Sequence, residues 1–407
     1  MTLFKREKYL KKIRPFYKTD IIKLITGIRR CGKSSMMQMI KEELIDSGIM
    51  EKDIIYLDLD KRGNKGIKTA EQLEEKIDSM LVDDNFKYIF IDEIQNVTGF
   101  EETINAYNTE ENFSIFLTGS NSYLLSGEIA TKLTGRYLEF EIFTLDFSEY
   151  LAMKKYKKLP VNLDLADEFK EYIVNGGFPK ALEFQDAEAR HFYTKSVIGE
   201  IFEKDIKRNK KIRNKFIFER VQNYVINNFG STFSVSTLFD YFNNKEKTQI
   251  SKETIRNYIS ILENAKIIYK CPRFDCKSKK SLSGEQKYYL ADMSIYFLTV
   301  TDNRINYGPA LENLVFLYLM NNNYSVSVGR IGQFECDFIA RKTNDYKYIQ
   351  VTMTISEKST EDREYKPFYQ VRDNYPKYLL SMDSLLQERD GVKHLNIVNV
   401  LSNNIAL

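Results

Sequence analysis

The sequence predicts an α/β fold whose amino-terminal third is a parallel, doubly wound sheet with helices on both faces. Three observations carry that prediction. Apolar, β-branched runs of strand length alternate with stretches of helical period. A glycine-containing turn, "GIRRCGKSS" from Gly27 to Ser35, joins one such strand to one such helix. A second apolar strand, "YIFI", ends on the acidic pair Asp92-Glu93.

The elements follow in chain order. "FKREKYLKKIR" has no long apolar core or small-residue cleavage site and contains Glu7, so it is expected to be a mature amphipathic helix rather than a targeting peptide. Ile21 to Thr26 has the pattern of a strand buried on both faces, and Ser34 to Ile45 repeats apolar residues at helical spacing. The turn between them reads G-x-x-x-x-G-K-S, with Gly27, Gly32, Lys33 and Ser34 at the fixed positions of a phosphate-binding loop. Glycine lets such a chain curl, so that the stretch Gly27, Ile28, Arg29, Arg30, Cys31, Gly32, Lys33, Ser34, Ser35 turns its N–H groups on a polyphosphate. The following helix adds its positive end. Lys33 is then expected along the β and γ phosphates of a nucleotide, with the Ser34 hydroxyl on Mg2+.

A phosphate loop needs a carboxylate from a second strand. In "KYIFIDEIQNV" Asp92 is expected to hold the magnesium shell and Glu93 to polarise the attacking water. "FSIFLTGSNSYLL" gives a third strand, after which Ser120 or Asn121 could touch a γ-phosphate or simply form a Gly-Ser-Asn turn. Arg136, in "TKLTGRYLEFEI", precedes another strand and could reach a γ-phosphate in its own subunit or a neighbour, or form a surface ion pair. The expected catalytic set is thus Glu93, Lys33, Arg136 and Asn121. "DIIYLDLD" and "AEQLEEKIDSML" supply a further strand and helix. The ligand of such a sheet belongs at its carboxyl edge.

Beyond residue 146 the pattern turns helical, interrupted by "GGFP" at Gly176, and 147–215 is expected to form a helical lid; Lys180 is not counted among the residues expected to reach the phosphates. Residues 216–287 read as three helices and a strand, a winged-helix-like domain. Ser251 is its third helix's N-cap, and Ile255, Tyr258, Ile259 and Leu262 form the buried stripe. Between Lys266 and Lys287 lie seven Lys or Arg against Asp275 and Glu285, a segment suited to DNA phosphates or to joining domains. Residues 288–407 are expected to form a small α/β unit. A helix there carries Glu312, a strand carries Asp337, and a second strand carries Gln350-Val351-Thr352. This resembles the PD-(D/E)XK, restriction-endonuclease-like core, in which Glu and Asp bind magnesium. The lysine of that pattern is missing at Thr352, and Gln350 puts a neutral amide where a charged ligand is expected, so the two carboxylates should hold a divalent ion weakly and activate water poorly, which favours a degenerate, binding-only domain over an active nuclease.

Composition narrows the class. The 407 residues hold 60 Lys plus Arg against 57 Asp plus Glu, a net charge of +3, so any basic surface must be local. No apolar run is long enough for a membrane span. Cys31, Cys271, Cys276 and Cys336 are scattered, which suggests free thiols in a reducing compartment and a cytoplasmic location. Cys271 and Cys276 could be half of a zinc site, but only two histidines exist and no second cysteine pair does.

"TGIRRCGKSS", "YIFIDEIQ", "LTGSNS", "LTGRYLEF", "GGFP", "KYYLADMSI", "ALENLVFLYL", "FECDFIA" and "DNYPKYLLSMD" occur together and in order. In this the chain resembles the prokaryotic AAA+-type, AAA_14-like P-loop ATPases that carry a carboxyl-terminal domain with a degenerate nuclease-like fold. The resemblance spans nearly the whole chain. It implies a domain at 1–146 that binds and hydrolyses ATP with Mg2+. The residues themselves suggest that this cycle switches the two modules after the 147–215 lid, 216–287 and 288–407, which bind rather than react; the alternatives are an ATP-regulated nuclease and a non-enzymatic DNA-binding regulator. The partner of these modules could be DNA, another protein or a second copy of the chain.

Overall fold

The computed structural model describes residues 3–119, 135–206, 212–278, 280–299 and 307–407. Two compact units divide the chain, Met1–Thr144 and Leu145–Leu407.

The first unit is built on five strands, β1 (Ile22–Thr26), β2 (Ile54–Asp58), β3 (Lys87–Asp92), β4 (Phe113–Thr118) and β5 (Tyr137–Glu141). They lie in the order β2-β3-β4-β1-β5, and every pairing is parallel. β1, β3 and β4 are buried along their whole length, which is why they read as unbroken apolar runs. Alternation then sorts the side chains. Leu24, Leu57, Ile91 and Leu117 share one face and pack against Leu73 and Ile77 of α3 (Ala70–Asp78) and Phe100 and Ile104 of α4 (Phe100–Thr109). On the other face Tyr56, Phe90 and Phe116 stack across three strands, with ring centroids 5.8 and 4.5 Å apart. α2 (Lys33–Asp46) contacts β3 and β4, and its Gln38 hydrogen-bonds Tyr56.

The amino-terminal basic segment forms α1 (Glu7–Ile13), which buries Tyr9, Leu10 and Ile13. Arg14 then makes two hydrogen bonds to Glu43 of α2, at 3.0 and 2.7 Å, and Tyr17 donates to the same carboxylate at 2.9 Å. Among the described residues no helix is long and apolar enough to cross a membrane.

In the second unit the helices Phe147–Tyr156, Leu165–Asn175 and Ala187–Glu200 start on the caps Asp146, Asp164 and Asp186. Gly176 ends the second with φ +73°, where a Cβ would lie 1.9 Å from Asp292 Oδ1. The Gly177 N–H donates to Asp292 Oδ2 at 2.8 Å, so within this unit "GGFP" is tied to the "ADMS" turn. Helices Lys215–Asn227, Val235–Asp240 and Lys252–Asn264 follow. The last is capped by Ser251 and buries Ile255, Tyr258, Ile259 and Leu262, the stripe that its period predicts.

β6 (Thr232–Phe233), β7 (Ile268–Asp275) and β8 (Lys280–Leu290) join β9 (Ser325–Ile331), β10 (Phe334–Lys342), β11 (Asp345–Val351), β12 (Lys377–Ser381) and β13 (Val392–Asn396). They form one mixed sheet in the order β13-β12-β11-β10-β9-β7-β8-β6. β8 runs through the 287/288 boundary that the sequence suggests, and β7 pairs parallel with β9 from Arg273↔Val328 to Asp275↔Arg330. An unpaired β7 edge would leave a row of amides and carbonyls without partners, and β9 satisfies it.

Lys23 is the one charged side chain on the aromatic face of β1. Fully buried, it donates to Ser114 Oγ at 2.7 Å and to the Thr19 carbonyl at 2.8 Å, and its nitrogen lies 4.8 Å from the Phe116 ring centre. Burial pushes its pKa down to about 7, against a small opposing pull from Asp20. Between pH 7 and the unfolded value of 10.5 the unfolded chain therefore holds more protons, and stability should rise with pH in that window. Urea midpoints of wild type and Lys23→Met at pH 7 and pH 9 test this. Wild type should gain on the variant at the higher pH, and an equal response of both would refute the assignment.

Candidate functional site

The loop between β1 and α2 has the backbone that its glycines predict. Gly27 has φ +136°, and a Cβ there would lie 2.1 Å from the Ile142 carbonyl oxygen. The chain after β5 thus crosses directly over the start of the loop, where the Ile142 N–H donates to the Thr26 carbonyl at 2.9 Å. Arg30 and Gly32 have φ +67° and +108° and complete the curl into α2. Arg30 is the non-glycine in this loop that takes up the left-handed conformation, a costly one for a branched-free but bulky side chain and common at functional loops.

Lys33 is buried, and its ammonium folds back along the loop to donate to the Gly27 carbonyl at 3.0 Å and the Ile28 carbonyl at 3.4 Å. Ser34, at the second position of α2, hydrogen-bonds Asp92 at the carboxyl end of β3. Asp92 is only 3% exposed. Burial raises its pKa, opposed by hydrogen bonds from Thr118 and Ser34 and reinforced by the charges of Glu93 and Asp58. A buried carboxylate in this position, with a hydroxyl beside it, is a donor set that a hard divalent cation fits. The structure therefore brings Gly27 to Ser35, Asp92 and Glu93 to one edge of the sheet.

Glu93 has φ +61° and ψ +47°, a left-handed conformation that turns the chain at the strand end. Its N–H donates to Thr118 Oγ1 at 3.1 Å, and its carboxylate accepts from Gln95. Thr118, whose hydroxyl donates to Asp92 Oδ1, thus touches both acidic residues. Sequence reasoning looked beyond β4, to Ser120 and Asn121, and gave Thr118 no role. The register that sets Ile91 opposite Leu117 puts Thr118 level with Asp92, and register is not readable from one strand.

Arg6 is a second residue that sequence reasoning missed. It is 4% exposed, and its guanidinium donates to the carbonyls of Cys31 at 3.1 Å, Phe143 at 2.9 Å and Thr144 at 3.3 Å. It also lies over the Tyr9 ring, and the Tyr9 hydroxyl accepts the Phe143 N–H at 3.1 Å. One planar cation thus fastens the phosphate loop to the segment leaving β5.

Arg136 is corrected. Its carbonyl accepts the Ile22 N–H at 2.8 Å, at the amino end of β1, and it immediately precedes β5. The loop is at the opposite edge, about 16 Å away for a five-residue strand at ~3.3 Å per residue. Arg136 does not act on phosphates held by its own loop. The signal was present in the sequence, because a residue just before a parallel strand lies at the amino edge. Ser120 and Asn121 lie outside the described residues, as does Lys279 of the basic segment. Lys270, Lys277 and Lys280 of that segment are exposed. Arg273 is paired with Glu285 and Glu335, and Lys287 is buried.

A family model described as an AAA domain, AAA_14, matches residues 19–151, and a domain of unknown function, DUF8612, matches 166–303. An uncharacterized protein of Haemophilus influenzae is 33% identical over 402 residues, 98% of either chain. The chain belongs to the AAA_14 family. Uncharacterized protein MJ1544 of Methanocaldococcus jannaschii is 32% identical over 360 residues, 85% of this AAA_14 chain and 78% of that one. Among solved structures, the Walker-type ATPase PABY2304 of Pyrococcus abyssi superposes with a TM-score of 0.52 at 17% identity, covering 73% of this chain and 95% of that one. That likeness establishes a P-loop ATPase fold.

In this AAA_14 protein the loop's tightest constraint is the contact of Gly27 with Ile142. Gly27→Ala adds a methyl against a fixed backbone oxygen at a φ that L-residues avoid, and should cost at least about 2 kcal/mol of stability. Urea denaturation checks it, with Gly48→Ala, where a Cβ meets nothing within 4 Å, as the control for the φ effect alone.

Proposed function

We propose that this protein binds and hydrolyses ATP with Mg2+, and that the cycle switches the carboxyl-terminal half between states that hold and release a partner. The observation that carries this is the convergence of the loop, Ser34, Asp92 and Glu93 at one sheet edge. N–H groups of the loop and the start of the 14-residue α2 receive the phosphates. Lys33 leaves the carbonyls it now holds and turns to the β and γ oxygens. Ser34 and Asp92 hold Mg2+, which when bound neutralises charge on the transferred phosphoryl group. Glu93 accepts a proton from the attacking water. Arg136 suits a role only toward a neighbouring chain.

Phosphate release with Mg2+ tests the reading. Lys33→Ala should lose both tight ATP binding and turnover. Glu93→Gln should keep ATP binding and lose roughly 10²–10⁴ in turnover. Turnover equal in all three proteins, or no ATP binding by wild type, rules the reading out.

DNA is the partner that the exposed lysines of 266–287 favour, carried by the helices and β-hairpin of a winged-helix-like module. Each phosphate contact releases counterions, so binding should fall steeply with salt. Replacing Lys277 and Lys280 by Ala should reduce the slope of log affinity against log salt by about 2. If wild type binds no duplex at low salt, the partner is a protein.

A further inference from the structure

The carboxyl-terminal unit holds a second concentration of charge. Helix Tyr307–Asn321 brings Glu312, β10 brings Glu335 and Asp337, and β8 brings Lys287. The Lys287 nitrogen lies 2.8 Å from Glu312 Oε1, 3.0 Å from Glu335 Oε1 and 3.9 Å from Asp337 Oδ1. Lys287 is 5% exposed and Asp337 9%. Tyr289, two residues along the same face of β8, donates its hydroxyl to Glu312 Oε1 at 2.5 Å. Asp337 Oδ2 accepts the Val351 N–H at 2.8 Å.

Glu312 and Asp337 are the residues from which the sequence suggests a magnesium site. The donor set in the fold does not fit one. A divalent ion needs several oxygens whose lone pairs are free to face it at about 2.0–2.6 Å. Here an oxygen of Glu312 and one of Glu335 face the ammonium at hydrogen-bond distance and Asp337 Oδ1 lies 3.9 Å from it, and a metal ion in the same pocket would be repelled by that charge. Gln350 offers no charge either, and the fold explains why. Its Oε1 accepts the Asp337 N–H at 2.9 Å, while its Nε2 donates to Glu364 Oε2 at 2.9 Å. A carboxylate at 350 would have no proton for Glu364 and would face it as a like charge.

We propose that Lys287 is the resident cation of the Glu312, Glu335 and Asp337 cluster, standing where a divalent metal would, so that the cluster is a structural ion network without metal-dependent phosphodiesterase activity. Burial works against the Lys287 ammonium, but Glu312, Asp337 and Glu335 outweigh it and hold it charged. Burial and the Glu312 charge raise the Asp337 carboxyl, and the Lys287 charge and the Val351 N–H oppose them. The inference stands on this cluster alone and is independent of the ATPase reading.

The test uses the full chain, without nucleotide, and Mn2+ as the probe. Lys287→Met keeps the aliphatic stem and leaves the carboxylates uncompensated, so its unfolding temperature should fall by roughly 5–10 °C. Millimolar Mn2+ should restore most of that loss in Lys287→Met but not in Lys287→Met/Asp337→Asn. Lys287→Arg should unfold near wild type. Wild type and Asp337→Asn should give the same Mn2+ titration by electron paramagnetic resonance, and neither should cleave plasmid DNA. The proposal is overturned if wild type binds Mn2+ or cleaves DNA in a way that Asp337→Asn abolishes. It is also overturned if Lys287→Met is as stable as wild type, or is destabilised and Mn2+ does not recover it. Should Lys287→Met not fold, the wild-type and Asp337→Asn titrations still decide.

Discussion

The Thr118 hydroxyl, held between the Asp92 carboxylate and the Glu93 amide, is the contact on which the nucleotide edge of the sheet turns. It locks the carboxyl ends of β3 and β4 together and fixes the direction in which both acids leave the strand. Ser34 reaches Asp92 from α2 on the other side, so the loop, Asp92 and Glu93 are tied together through Thr118 and Ser34. Asp92 stays buried at a cost that burial imposes and that a bound cation would relieve.

Arg6 extends that set to the point where the chain leaves the first unit. Cys31 in the loop and Phe143 and Thr144 beyond β5 share one guanidinium, and the Ile142 carbonyl presses on Gly27. The next residue, Leu145, belongs to the second unit, where its N–H donates to the Gly177 carbonyl at 2.8 Å and its carbonyl accepts from Tyr172 at 2.9 Å. The connecting peptide is therefore held within each unit on its own side.

The second unit answers a similar problem of buried charge differently. At Asp92 the compensating groups are hydroxyls, which leave room for a cation. At Asp337 the compensating group is a lysine from a neighbouring strand. The pairing of β7 with β9 also makes the helices of 215–264 and the strands around Asp337 parts of one sheet-centred body.

The sequence by itself determined the parts made from consecutive residues: the G-x-x-x-x-G-K-S loop, the strand ending in Asp92-Glu93, the buried strands, and the capped helix at Ser251. Each follows from local sterics, hydrogen-bonding chemistry or periodicity, which need no distant partner. Only the tertiary structure decided what depends on register and on strand direction. It placed Thr118 beside Asp92, Arg6 beneath the loop 25 residues away, and Arg136 at the far edge of its strand. It also turned Lys287, counted in sequence as part of a basic surface, into the buried partner of Glu312, 25 residues further on. Charge in a sequence carries a sign but no address. The address comes from which strands pair and in which direction, and that is set by the burial of whole faces rather than by any single residue.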